Sequence, residues 1–126
     1  MGTWGSGNFE SDSACDHRAE LSQALIGRTL ELLASEESWE ADEDTYAELF
    51  VRLEWISALQ QAGALDGFQL PNTNDLNELT TRWLAGWSDY FDGLSGPEFK
   101  AERRAVIDET FLQLRNICAH HETLRA

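Results

Sequence analysis

The sequence has few basic residues, few cysteines and no long apolar run. Nine Lys and Arg residues stand against 23 Asp and Glu residues, so the formal net charge is −14 at pH 7. This balance argues against a protein that grips nucleic acid or an anionic membrane over much of its surface. No stretch approaches the roughly 20 apolar residues of a membrane span, and the opening does not resemble a signal peptide. We therefore expect a cytoplasmic protein with no membrane contact.

Two cysteines are too few for a disulfide framework, and a reducing cytosol favours free thiols. All cysteine and histidine residues lie near the start of the first predicted helix or near the end of the last. In an up-down-up-down bundle, Cys15 and His17 would therefore approach Cys118 and His121, which makes metal ligation conceivable. The spacing matches no zinc knuckle, so packing of the thiols is the preferred interpretation. We expect no metal and no cofactor.

The composition nevertheless provides for one folded domain. The 126 residues are 42% hydrophobic and 10% aromatic, enough for a core. No segment alternates like a strand, no repeat is visible, and four segments have helical periodicity. We predict an all-α single domain over residues 1–126, with an irregular arm at 1–11 rich in Gly and Trp. A bundle of about four helices fills residues 12–126.

Capping residues, glycine and proline set the predicted helix boundaries. The first helix runs from Asp12, its predicted N-cap, to about Leu33, and Gly27 is a position where it could kink or split. Trp55, Trp83 and Trp87 lie on later helices and are predicted core residues. The other helices are predicted from about Asp44 to Gln61, from Asn74-Asp75 to a break at Asp92-Gly93 and Ser95-Gly96, and from Pro97 through Cys118.

The negative charge is unevenly placed along the chain. Residues 1–97 hold 18 acids and four bases, whereas residues 98–126 hold five of each. Seven of the acids lie between Glu36 and Glu48, around Trp39, where we predict a solvated loop and a first helical turn. The excess of acids indicates a basic partner. Because the last helix is neutral, it is the part of the chain at which we would expect RNA to bind, if RNA binds at all.

The opening segment alternates glycine with Trp4 and Phe9. This pattern predicts an irregular arm that lies on the bundle and is held by the two aromatic rings. A phosphate-binding nest at Gly5-Ser6-Gly7-Asn8 is the alternative, but no strand precedes it and no Lys-Ser/Thr pair follows.

The opening Met-Gly-x-Trp-Gly-x-Gly-x-Phe, followed by Glu10, Ser11, Asp12 and Ala14, resembles a family of small, mostly bacterial proteins known as domain of unknown function DUF4259. The resemblance covers residues 1–16 and extends over the helical middle of the chain. It implies a compact helical single domain and brings no catalytic residues. Small acidic bacterial proteins of this kind include antitoxins and immunity proteins.

A second resemblance lies at residues 114–121, where Leu-Arg-Asn-Ile-Cys-Ala-His-His is similar to the active-site segment of HEPN domains of abortive-infection proteins. The resemblance implies a dimeric helical bundle that cleaves RNA without metal. Arg115 and His120 would be catalytic, and Asn116 would orient them. A guanidinium can stabilise the charge of the transition state, while an imidazole moves the proton.

The helical geometry opposes this interpretation. On a continuous helix Arg115 and His120 lie roughly 140° apart, so a dimer cleft or a frayed helix end would have to bring them together. His121 falls near the centre of the apolar stripe, and we predict a core histidine with a satisfied partner. A surface or helix-dipole role is the alternative for Arg115.

We therefore expect a non-enzymatic binding protein, monomeric or homodimeric, that meets a basic protein partner as an antitoxin, immunity factor or other conflict-system component does. The alternative is a HEPN-like metal-independent endoribonuclease that uses Arg115 and His120, with RNA as its substrate. Whether the chain is an enzyme stays open at this point.

Overall fold

The computed structural model describes residues 2–91 and 96–125, and it confirms the all-α single-domain bundle. Within these ranges the only β pairing is an isolated bridge between Thr3 and Ser11. None of the described helices combines the length and apolar character needed to cross a bilayer. The helices are α1 Asp12–Ala34, α2 Asp44–Gln61, α3 Thr73–Tyr90 and α4 Pro97–Arg125, and a short 3-10 helix, Glu36–Trp39, joins α1 to α2.

The helix boundaries follow local capping, with two corrections to the predictions. The N-cap of α1 is Ser11 rather than Asp12, because Ser11 is extended and its side chain accepts a hydrogen bond from the amide of Ala14 at 3.1 Å. Gly27 does not interrupt α1, which is continuous. Of the predicted break at Asp92-Gly93 and Ser95-Gly96, residues 92–95 lie outside the described residues, whereas Gly96 has a positive φ and directly precedes α4.

The four helices form a bundle in which some neighbours are parallel. Helices α1 and α2 are antiparallel neighbours, as are α3 and α4, whereas α2 and α3 occupy opposite corners. Helices α2 and α4 run parallel, since Tyr46 meets Arg103 near their starts and Gln60 meets His121 near their ends. As predicted, the start of α1 and the end of α4 lie at one end of the bundle, where Arg18 and Arg125 line one pocket.

Aromatic rings fill the centre of the bundle. Trp83 and Trp87 are buried and stacked at 6.4 Å between ring centroids, and Phe111 meets Trp83 edge-on at 5.4 Å. The prediction that Trp55 is a core residue is wrong, because its side chain is 63% exposed. Its position on α2 lies beside the apolar stripe, on the side that faces the outer groove between α1 and α2.

The arm folds back on itself before α1 begins. The amide of Trp4 donates to the carbonyl of Glu10 at 3.0 Å, and the carboxylate of Glu10 lies against Gly5 and Gly7. This carboxylate would repel a phosphate, so the loop is a poor anion nest. Of the two aromatic anchors predicted for the arm, Phe9 lies under the guanidinium of Arg18, while Trp4 is 59% exposed.

Candidate functional site

The turn between α1 and α2 is held to the bundle by a buried serine. The hydroxyl of Ser38 donates to the carbonyl of Leu32 at 2.6 Å and accepts from the indole Nε1 of Trp83 at 2.9 Å. Both Ser38 and Trp83 are fully buried. Because a buried indole N–H needs a partner, the most central tryptophan of the core fixes the position of this turn.

Trp39 holds the same turn from its other side. Its ring packs directly on Gly86 of α3, where a Cβ atom would overlap the indole. The guanidinium of Arg82 lies 5.4 Å above the ring, and the ring centroid of Tyr90 lies 5.9 Å away. The acidic turn predicted as a solvated loop is therefore exposed in its carboxylates but anchored in its backbone.

We call the surface formed by this turn the acidic end; it also includes the last turn of α3. Within the described residues, Glu36 is its only carboxylate in an ion pair, at 3.5 Å from Arg82. Tyr90, 60% exposed, provides an aromatic side chain on the same surface. The Nζ of Lys100 also lies at this surface, 2.9 Å from the carbonyl of Ser88. Because the carboxylates outnumber Arg82 and Lys100, the acidic end carries a net negative charge. Its exposed carboxylates are Glu36, Glu37, Glu40, Asp42, Glu43, Asp44 and Asp89.

The three residues of the HEPN-like motif lie on the carboxyl-terminal half of α4. Arg115, Asn116 and His120 are all exposed, and no ion pair within the described ranges includes them. Since α4 is continuous, Arg115 and His120 keep their separation of roughly 140° around the helix axis. One copy of the chain therefore does not bring the guanidinium and the imidazole to one face.

His121 has the satisfied partner that was predicted, but it is half-buried rather than a core residue. Its Nε2 lies 2.7 Å from Oε1 of Gln60 on α2, and its ring packs on the backbone of Gly67, where a Cβ atom would overlap it. Burial lowers the pKa of His121, and the nearby charges of His120 and Arg125 lower it further. The neutral imidazole therefore links the end of α4 to α2 and to the loop before α3.

The cysteines and histidines that could have formed a metal site are used separately. The thiol of Cys15 donates to the carbonyl of Phe9 at 3.2 Å, whereas Cys118 is fully buried in the core. Burial raises the pKa of Cys118 to about 12. His17 is exposed, 3.8 Å from Glu20. The part of the chain that the structure describes contains no group of three residues suited to hold a metal ion.

A second surface is the outer groove between α1 and α2, which we call the apolar groove. Its volume is about 870 Å³, and the arm lies across one end of it. Leu21, 74% exposed, and Trp55 form its walls. Further lining residues are Phe9, Ala14, Ala24, Leu25, Leu59 and Ala64.

A charged cluster closes the other end of the groove. Glu48 accepts from Nε of Arg28 at 2.9 Å and from Nε of Arg52 at 2.7 Å, and a second bond from Arg28, at 3.0 Å, makes that pair bidentate. The two guanidinium groups lower the pKa of Glu48 to about 2, and Glu48 with Glu31 raises the pKa of Arg28. This cluster joins α1 to α2.

Fold and surface together define a small acidic helical-bundle protein with an anchored acidic end and an apolar groove. The chain belongs to the family described as Domain of unknown function (DUF4259), whose model matches residues 2–90. The match confirms the resemblance noted in the opening segment. It ends before α4, and the resemblance of residues 114–121 to HEPN domains is not confirmed. A search of curated proteins and a search of solved structures gave no match.

Two features of these surfaces were missed in the sequence. Ser38 lies between acidic residues, and nothing in that pattern marks its hydroxyl as the partner of Trp83. The apolar groove was missed because Trp55 was placed in the core. The signal available was Val51, four residues before Trp55: both lie on one face of α2, beside the stripe of Leu49, Leu53 and Ile56.

Proposed function

We propose that this protein is a non-enzymatic binding protein whose acidic end meets a basic protein partner, as an antitoxin, an immunity protein or another conflict-system component does. The observation that carries the proposal is the anchored turn at residues 36–44, whose carboxylates after Glu36 form no ion pair within the described ranges. Opposite charge on a partner would speed association and select that partner over neutral proteins. Localisation in the cytoplasm is part of the same proposal.

Two further observations support a macromolecular partner at this surface. The hydrogen bond between Ser38 and Trp83 and the packing of Trp39 on Gly86 hold the turn in place, so little ordering is left for binding. Exposed Tyr90 supplies the kind of aromatic side chain that often carries interface energy. A fixed acidic rim around an aromatic residue suits a basic protein surface better than it suits RNA.

The experiment compares two triple variants that remove equal charge. Glu37→Gln, Glu40→Gln and Glu43→Gln neutralise the acidic end, and the control variant neutralises three exposed carboxylates elsewhere. The probes are purified basic proteins encoded by the genes beside its own, titrated by calorimetry at about 50 mM and about 300 mM NaCl. The control substitutions are Glu54→Gln, Glu78→Gln and Glu102→Gln.

We expect wild type and control to bind one of these probes with similar affinity, and the acidic-end variant to bind about tenfold or more weakly. We also expect the affinity of the wild type to fall with added salt. An equal loss of affinity in both variants would show that binding depends on the net charge of the protein rather than on the acidic end. If no basic neighbour binds, or if binding does not respond to salt, the proposal fails.

RNA cleavage by Arg115 and His120, oriented by Asn116, is the second candidate function. The exposure of all three side chains supports it, because a second copy of the chain could complete a cleft around them. Single-stranded RNA is incubated with wild type, Arg115→Ala and His120→Ala in the presence of a metal chelator. Cleavage by the wild type alone would support a nuclease, whereas equal background in all three would end this interpretation.

A further inference from the structure

The apolar groove has the size and lining of a ligand site. Its volume of about 870 Å³ lies within the roughly 300–1,000 Å³ typical of small-molecule pockets. Leu21 and Trp55 are among the most exposed apolar side chains of the described chain, and they face the same groove. Single exposed apolar residues are ordinary, but a contiguous set in a concavity indicates an occupant.

The charge of the groove is opposite to that of the whole protein. Although the chain has 23 acids and nine Lys and Arg residues, the groove is lined by Arg18, Arg28 and Arg52, with His17, and by none of the described carboxylates. Glu48 pairs with both Arg28 and Arg52. Arg18 has no ion pair within the described ranges.

Arg18 is thus the cation that the groove leaves unneutralised. Its Nε is buried and has no hydrogen-bond partner among the described residues, and its guanidinium lies 5.2 Å from the ring centroid of Phe9. An unpaired guanidinium beside an apolar wall favours an anion that carries an apolar group, because each part of such a ligand meets its complement.

We propose that the apolar groove binds a single-chain amphipathic anion, such as an alkyl carboxylate, with its anionic group at Arg18 and its tail along Leu21, Leu25 and Trp55. This function is separate from the acidic end and does not depend on it. It accounts for the cationic lining of the groove, which would not attract the basic partner proposed for the acidic end.

The dimensions favour a flexible chain over a protein helix. Ten residues separate Arg18 from Arg28 on α1, a rise of about 15 Å. A helix with side chains is about 10 Å across, and Asn8 and Phe9 of the arm lie at the end of the groove where it would run. An extended alkyl chain is narrower than a helix and therefore needs less of the space beside the arm. A membrane surface is disfavoured as the source of the anion, because the net charge of −14 opposes an anionic bilayer.

Three probes with alkyl tails of similar length test the proposal on the full chain. Decanoate, decanol and decyltrimethylammonium carry a negative, a neutral and a positive head group, and each is titrated by calorimetry below its micelle concentration or solubility limit. Protection from acrylamide quenching, measured in a Trp4→Phe background because Trp4 is also exposed, locates the tail at Trp55. We expect decanoate to bind at least about tenfold more tightly than the other two.

Matched variants separate the head group from the tail. Arg18→Gln should remove most of the preference for decanoate, whereas Arg104→Gln, the same charge change on exposed α4, should leave it intact. Ala24→Trp fills the groove from an exposed helix position and should weaken all three probes, with circular dichroism to confirm the fold. Glu37→Gln at the acidic end should change none of these affinities.

Several results would overturn the proposal. Equal affinity for the three probes would exclude recognition of an anion, and full binding by Ala24→Trp would place the ligand elsewhere. Retention of the protein on phosphatidylglycerol vesicles would point to a lipid surface rather than a free anion. Binding of an acidic amphipathic peptide but not of decanoate would assign the groove to a protein partner.

Discussion

Residue His121 connects three parts of the bundle through one polar contact and one packing contact. Its Nε2 lies within hydrogen-bond distance of Gln60, while its ring occupies the space that a side chain at position 67 would fill, which is free because that residue is Gly67. Burial, His120 and Arg125 all disfavour the imidazolium, and only Asp66 favours it. The folded protein therefore holds this imidazole in its neutral form more firmly than the unfolded chain does.

This lowered pKa predicts a loss of stability on mild acidification. The unfolded chain takes up a proton near the ordinary histidine value of about 6.5, while the folded His121 resists it, so stability falls as the pH drops below that value. We expect His121→Gln to flatten the pH dependence of the urea midpoint between about pH 7.5 and 5.5.

Exposed His17 provides the control for this measurement. His17→Gln should keep the pH dependence of the wild type, because the side chain of His17 is 74% exposed. If both histidine variants behave alike, His121 is not the group responsible.

The 3-10 helix Glu36–Trp39 depends on the hydroxyl of Ser38 as well as on the packing of Trp39. Ser38→Ala would leave the indole N–H of Trp83 buried without its partner, at a cost of about 1–3 kcal/mol. Urea unfolding measures this loss, with Ser13→Ala on the exposed side of α1 as the control. A change of less than about 0.5 kcal/mol would show that the turn does not depend on this bond.

Helices α1 and α2 are joined at their surface by the charged cluster around Glu48. Because Arg28 and Arg52 lower its pKa, Glu48 contributes stability above its unfolded pKa of about 4.5 and loses it as the pH falls toward about 2. We expect Glu48→Gln to have a lower melting temperature than the wild type at pH 7. The difference between the two melting temperatures should narrow as the pH falls through this window. Glu54→Gln, exposed on the same helix, should show no such convergence.

The helices were predictable from the sequence because local signals mark where they begin and end. Pro97 begins α4, Gly63 follows α2 with a positive φ, and apolar spacing marks the buried stripes. The surfaces were less predictable. The exposure of Trp55 depends on how α1 and α2 pack, and the partner of Ser38 lies 45 residues away on α3, beyond any local pattern.

Charge repulsion acts on the molecule as a whole. Most described carboxylates are exposed and have no ion pair, so added salt should relieve more repulsion than attraction. We expect the melting temperature to rise between about 10 mM and about 500 mM NaCl. The rise should be smaller in the Glu37→Gln, Glu40→Gln, Glu43→Gln variant. A fall with salt would show that the ion pairs outweigh the excess charge.

Because Cys118 is buried, the reaction rate of its thiol reports how often the helical bundle opens. A thiol with no exposed surface and a pKa of about 12 cannot react with an alkylating reagent until the helices around it separate. The rate at which Cys118 is modified under native conditions would therefore measure the frequency of this opening. In the same sample, the half-buried Cys15 on the first turn of α1 would report local fraying near the arm.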